Sequence, residues 1–145
     1  MAIALGGSTE LRPVEPVAGD AENDLALLRI SDGNGVPNWL LLDRDAEPTL
    51  GQNVGLFGFP LGLHLGLDVT YSQGIVNSIR KRENRPILQL DAGAAPGSSG
   101  GPVFDRSSGR VIAMLTSGIH GAGGMHVNFA IDLRALWPLG WFRSN

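Results

Sequence analysis

Residues 97–102 read Gly97-Ser98-Ser99-Gly100-Gly101-Pro102. A hydroxyl stands there with glycine on both sides, so the backbone is free to turn tightly and to approach another molecule closely. Main-chain N–H groups in such a loop have no ladder partner. Where they converge beside a hydroxyl they form a small anion-binding hollow. A serine next to such donors is the arrangement that acyl transfer requires. By itself a Gly/Ser-rich loop is more often a plain turn, so the rest of the sequence decides its meaning. Asp24, at the entrance of the apolar run Leu25–Ile30, reads alone as a strand-entrance or capping residue. The histidines are His64, His120 and His126, all later in the chain than Asp24. As a metal pair, His120 and His126 lack a third ligand of clear spacing, so no metal and no cofactor are expected.

The elements that must position these residues are short. At 145 residues the chain is one domain or a piece of one. Its 21 glycines and 9 prolines fall as punctuation between apolar runs, the pattern of an all-β protein with many turns. A net charge of -3 with 17% charged residues argues against a nucleic-acid surface. Cysteine is absent, so there is no disulfide framework. No signal peptide is recognised in MAIALGG, and no apolar run is long enough to span a bilayer. Arg80-Lys81-Arg82, balanced by Glu83, reads as a solvated hairpin tip.

In order along the chain, Met1–Leu5 is a short strand, and Glu10–Ala18, with two prolines, is an edge or interrupted strand. Leu25–Ile30 is a buried strand, stopped by Ser31–Gly35, and Trp39–Asp43 is another short run. Val54–Phe59 is a glycine-laced strand, followed by a Gly/Leu loop over Leu61–Leu67. Val69–Ile79 is β-branched, with Gly74 suggesting a bulge. Ile87–Leu90 leads into the serine loop, and Pro102–Phe104 and Arg110–Leu115 are strands on its far side. Ser117–Gly124 is a glycine-rich loop and Val127–Ile131 the last strand. Asp132 caps a short helix over Leu133–Trp137, limited by Pro138. Gly-x-Ser-x-Gly also fits the nucleophile elbow of α/β-hydrolases, but that elbow needs a helix after the serine. Here the β-like Pro102-Val103-Phe104 follows, and that reading is rejected.

Five ordered segments carry a family resemblance: Asp24–Leu28, Gly58–Leu63, Ser72–Val76, Asp91–Pro102 and Asn128–Ile131. Together they resemble a trypsin-like (chymotrypsin-fold) serine endopeptidase, closest to the bacterial HtrA/DegP-type proteases. The resemblance covers nearly all of the chain from Gly19 onward. It implies an all-β, double Greek-key β-barrel with an incomplete first barrel, a complete second barrel and a short C-terminal helix. The implied divisions are residues 1–43 for the first-barrel remnant, 44–52 for the connector, 53–131 for the second barrel, and 132–145 for the helix and tail. It further implies Ser99 as nucleophile, Asp24 as orienting carboxylate, and the N–H groups of Gly97 and Ser99 as the oxyanion hole. Gly93, Ala94, Gly118 and Ile119 are implied to line the substrate pocket. Gly93 stands where trypsin carries the aspartate that binds basic side chains, so a preference for Arg or Lys is not expected. Peptide or protein substrates and an extracytoplasmic location are implied as well.

The sequence departs from the family in three places. Phe59 replaces the usual asparagine of a Gly-Asn-Pro segment, and Ser98 replaces the Asp or Asn before the nucleophile, which implies a looser oxyanion hole. The third is larger: the family places its catalytic histidine before the aspartate, and no histidine precedes Asp24. The expectation is a first barrel entered partway. Its histidine then belongs to an upstream segment, or the barrel is completed by a partner or a homo-oligomer. As given, the chain is expected to be inactive or weakly active. The alternative is a non-catalytic pseudoprotease or peptide-binding module that takes extended peptides by strand addition.

Overall fold

A computed structural model describes residues 1–4, 10–36, 38–59, 68–82, 85–120 and 126–141. Nine strands are found among them: β1 (Ala2–Ala4), β2 (Leu11–Asp20), β3 (Leu25–Ile30), β4 (Asn53–Gly58), β5 (Thr70–Arg82), β6 (Arg85–Leu90), β7 (Pro102–Asp105), β8 (Val111–His120) and β9 (His126–Asp132). The last six close into an antiparallel barrel in the order β4-β5-β6-β9-β8-β7. Strands β1, β2 and β3 form a separate open sheet. This is the all-β architecture expected, with one closed barrel and a small sheet beside it.

Alternation along the strands sets the barrel interior. Val54 and Leu56 on β4, Leu88 and Leu90 on β6, and Ala113 and Leu115 on β8 point inward, joined by Val76, Val103, Ile112 and Ala130. Each fully buried Val, Leu or Ile side chain among these stabilises the fold by about 1.5–3 kcal/mol. A second apolar cluster lies outside the barrel, where Leu25 of β3 meets Ile87, Val111, Ile131 and the C-terminal residues Leu133 and Leu136. It places the entrance of β3, and with it Asp24, against the barrel.

Several expectations are corrected. β3 is only partly buried, with Leu25 inside but Ala26 and Leu28 exposed, because the open sheet has no second layer over that face among the described residues. The bulge on β5 falls between Val76 and Ser78 rather than at Gly74. Gly74 is needed for close approach instead: a Cβ there would meet the Asp91 carboxylate and the backbone of Ala92. Residues 117–120 are not loop but the end of β8, paired with β9 from Ser117↔Phe129 to His120↔His126. Within 39–43 the described pairing is one parallel bridge, Leu42 to Val111. The short C-terminal helix consists of two 3-10 turns, Leu133–Ala135 and Trp137–Leu139, the first capped by Asp132 accepting from the Arg134 N–H. The Gly/Leu loop at 61–67, with His64, lies outside the described residues, as do the side chains of His120 and His126.

The open sheet is tied to its exit loop by charge. Arg12 on β2 forms a two-pronged pair with Asp32, Nε to Oδ2 and Nη2 to Oδ1, both 2.5 Å. The guanidinium, followed by the Asn34 N–H, lowers the Asp32 pKa to about 2. A carboxyl depressed in the folded state contributes stability above its unfolded pKa and loses that contribution as pH falls through the folded value. The Arg12–Asp32 contribution is therefore complete above about pH 4 and lost toward pH 2. Urea unfolding checks this: wild type and Asp32→Asn should differ at pH 6 and converge near pH 2. Parallel curves across that range would contradict it.

Candidate active site

The serine loop is built by its own hydrogen bonds. The Ser98 N–H donates to the Ala95 carbonyl at 3.0 Å and the Gly101 N–H to the Ser98 carbonyl at 2.9 Å. Strand β8 clamps the loop from the other side: the Gly100 N–H donates to the Leu115 carbonyl at 2.7 Å, and the Leu115 N–H to the Gly101 carbonyl at 2.9 Å. Gly97 (φ 96) and Gly100 (φ 85) take the left-handed backbone that this path requires. Two N–H groups of the Gly97–Gly101 stretch are left without a partner among the described residues, those of Gly97 and Ser99. Uncommitted main-chain donors stabilise developing negative charge where they converge beside a hydroxyl.

Ser98 is 4% exposed, packed on Gly58, where an added Cβ would fall 2.6 Å from its Oγ. A short side chain fits this space. The base of the loop is pinned at two further points. The Ile75 N–H donates to Asp91 Oδ1 at 2.7 Å, and the buried Asn128 amide donates to the Ala92 carbonyl at 2.7 Å.

Ser99 and Asp24 meet at one residue, Thr116. The Ser99 Oγ–H donates to the Thr116 carbonyl at 3.1 Å, and the Thr116 Oγ1–H donates to Asp24 Oδ2 at 2.6 Å. Thr116 serves both because it is the extra residue of a β-bulge. Leu115 pairs with Ala130 and Ser117 with Phe129, so Thr116 has no opposite partner on β9. A bulge turns the side chain and carbonyl of its extra residue out of the regular ladder. Reading the sequence missed Thr116 altogether. No glycine marks the bulge, and a threonine in a strand is unremarked.

Asp24 closes the loop between β2 and β3 with φ 53, the one non-glycine residue with positive φ among those described. That conformation costs of order 1 kcal/mol even for Asp, which tolerates it better than most residues.

Two cavities flank the serine loop and share Gly58 and Ser98 as a common wall. One, of about 370 Å³, is lined by Gly93 and Ala94 together with Leu56, Ala95, Thr70, Ser72 and Asp91. The other is a cleft of about 860 Å³ onto which Gly97 and Ser99 open. Its remaining walls are mainly apolar: Ile3, Leu28, Leu40, Phe57, Phe59 and Val69. Gly118 and Ile119 stand exposed on β8 and line neither cavity among the described residues. They are linked to the loop indirectly, since Gly118 pairs with Asn128, whose amide holds Ala92. No cluster of three metal-ligating side chains occurs among the described residues.

Comparison with known proteins adds an independent line. Residues 3–114 match the family model described as a trypsin-like peptidase domain. A probable periplasmic serine endoprotease, DegP-like, of Pseudomonas fluorescens is 35% identical over 136 residues, which is 90% of this chain and 27% of that protein. Its namesake in Halomonas elongata is 32% identical over the same length and the same shares. An uncharacterized protein of Sinorhizobium fredii is 34% identical over 134 residues, 86% of this chain and 20% of its own length. The chain therefore spans only 20% to 27% of the length of these relatives.

Proposed function

Because this chain belongs to the trypsin-like peptidase family, we propose that it is a serine-type endopeptidase domain acting through an acyl-enzyme, with Ser99 as nucleophile. The observation that carries this reading is the meeting of Ser99 and Asp24 on Thr116, with the Gly97 and Ser99 N–H groups of the same loop uncommitted among the described residues. Ser99 Oγ would lose its proton to an imidazole as it attacks the substrate carbonyl. The carbonyl oxygen becomes an oxyanion and takes hydrogen bonds from the two free N–H groups. Each donor of this kind is worth about 2.7–4 kcal/mol in the transition state. The protonated imidazole then gives its proton to the leaving amine, and water cleaves the ester on Ser99. Asp24 holds the imidazole in the right tautomer and stabilises its charge.

The imidazole has to reach Ser99 through the cleft between the open sheet and the barrel. No histidine precedes Asp24, so the base is assigned to another segment or to a partner or second copy that completes the first barrel. Residues 1–43 are that barrel's remnant, 44–52 the connector, 53–131 the second barrel and 132–145 the tail. Without the base the chain is inactive or weakly active. Gly93 and Ala94, on the wall of the cavity of about 370 Å³, are assigned to an apolar substrate pocket, to which Gly118 and Ile119 contribute no wall among the described residues.

One observation favours a second reading, a pseudoprotease that binds extended peptides. The outer edges of β1 and β3 have no strand beside them among the described residues, and such edges accept an added strand. A fluorophosphonate probe with mass-spectrometric readout separates the two. Modification of Ser99, absent in Ser99→Ala, is the expected result. No modification of the wild type at any probe concentration, with or without added imidazole, would favour the binding module.

A further inference from the structure

The loop that carries Asp24 is short and strained. Asp20 pairs with Leu25 to close the β2–β3 hairpin, so residues 21–24 are the whole connection, and Asp24 is held at φ 53. Strained backbone of this kind persists only where its surroundings over-determine it. One hold is local. The Asp20 carboxylate accepts from the N–H groups of Glu22 (3.0 Å) and Asn23 (3.1 Å) and from the Asn23 side-chain amide (2.6 Å). The other comes from the barrel. Arg85, the first residue of β6, donates from Nη1 to the Glu22 carbonyl across 63 positions of sequence.

The Arg85 contact reaches the loop two residues from Asp24, at a main-chain carbonyl. The guanidinium is also close enough to Asp20 to act on it. The Asp20 carboxyl is held below its ordinary range by the Asn23 amide foremost, with the Arg85 charge as the smallest of the contributions. Arg85 therefore touches one anchor of the loop and influences the other. Beyond Asp24, the same loop is tied to β8 by the Thr116 hydroxyl. Three barrel strands thus bear on one carboxylate: β8 directly, β9 through its pairing with β8, and β6 through Arg85.

We propose that Arg85 is a positioning residue for Asp24: by holding the Glu22 carbonyl it keeps the 21–24 loop in the shape that sets the Asp24 carboxylate on Thr116. The base of the basic hairpin is then part of the site's support as well as a solvated tip. The proposed importance for catalysis rests on Asp24 being the orienting carboxylate. The geometric coupling itself does not.

The test uses the 145-residue chain with Arg85→Ala and Arg85→Lys. The Asp24 amide–Hα coupling constant reports φ, and amide exchange at Asn23 and Leu25 reports loop opening. Losing a hydrogen bond from a charged donor is expected to speed exchange there roughly tenfold or more in Arg85→Ala and to move the Asp24 coupling toward extended values. Leu88 and Leu90 in the barrel should exchange as before. Lysine retains one charged donor, so Arg85→Lys should recover most of the protection. An unchanged Asp24 coupling, acceleration spread evenly through the barrel, or no recovery with lysine would overturn the inference.

A second readout separates it from the reading of the site. With imidazole supplied, Arg85→Ala should slow fluorophosphonate modification of Ser99 through the maximal rate and not through probe affinity. If Asp24 responds to the substitution but imidazole never accelerates Ser99 in either protein, Arg85 positions Asp24 and the catalytic reading falls. If imidazole accelerates both proteins equally, the catalytic reading stands and the Arg85 inference falls.

Discussion

Peptide hydrolysis by this chain alone is expected to run about 10⁴–10⁶-fold below that of a trypsin-like peptidase with a complete triad, and free imidazole is expected to recover a measurable part of the deficit. The first half follows from the state of the hydroxyl. The Ser99 hydroxyl donates a hydrogen bond to the Thr116 carbonyl, which cannot take the proton away. A neutral serine is a poor nucleophile. The second half follows from the shape of the site. The cleft at Ser99, about 860 Å³, admits a molecule as small as imidazole, and Thr116 already holds Asp24 close by. A positioned general base contributes about 10²–10⁴-fold. A freely diffusing one at tens of millimolar lacks that positioning and should recover less than the low end of that range. Initial rates on an unstructured peptide, with and without imidazole at pH 8, measure it, with Ser99→Ala as reference. Acceleration that survives Ser99→Ala would mean imidazole acts on the substrate directly, and the assignment of Ser99 would fail.

A large stability loss from a single methyl group is expected at Gly101. A Cβ at that position would lie 2.8 Å from the Ser98 carbonyl oxygen and closer still to the Phe57 carbonyl oxygen. Both obstacles are backbone, so neither can swing aside as a flexible side chain would. The same residue receives the Leu115 N–H and donates to Ser98, so relief by moving the loop breaks bonds that hold β8. Gly101→Ala should cost about 3 kcal/mol, at the upper end for overpacking, and lower Tm by roughly 10 °C in a chain of this size. Gly93, in the same loop, is the control. Nothing lies within 4 Å of its added Cβ and its φ is ordinary. Gly93→Ala should stay within about 0.5 kcal/mol of wild type. Equal melting temperatures for the two variants would show that the loop is not packed as described.

Much of the fold is legible in the sequence because strands announce themselves locally. Val54 and Leu56, two positions apart, fall on one face of a strand, and glycine and proline mark the breaks between runs. What is misread has a common cause. The bulge expected at Gly74 lies beyond Val76, since Gly74 is small for the sake of Asp91 and Ala92, which adjoin it only after the barrel closes. The Ser117–His120 stretch looks like loop from its composition, yet pairing with β9 keeps it in the sheet. Leu25–Ile30 looks like a buried strand, but its burial depends on how many layers cover the sheet, which a single run of residues does not encode.

For the site, the sequence by itself places a serine among turn-forming glycines and an aspartate at the mouth of a strand, and the order of five segments identifies the family. Those are local properties of backbone freedom and side-chain polarity, and no partner is needed to read them. The tertiary structure decides that Ser99 and Asp24 meet on Thr116, which of the loop's N–H groups stay uncommitted, and that Arg85 reaches the Glu22 carbonyl. The Thr116–Asp24 bond joins residues 92 positions apart, and the Arg85–Glu22 bond 63. Such contacts are fixed by barrel closure and by a one-residue bulge, and a shift of one residue in that pairing would turn Thr116 back into the ladder and away from the site.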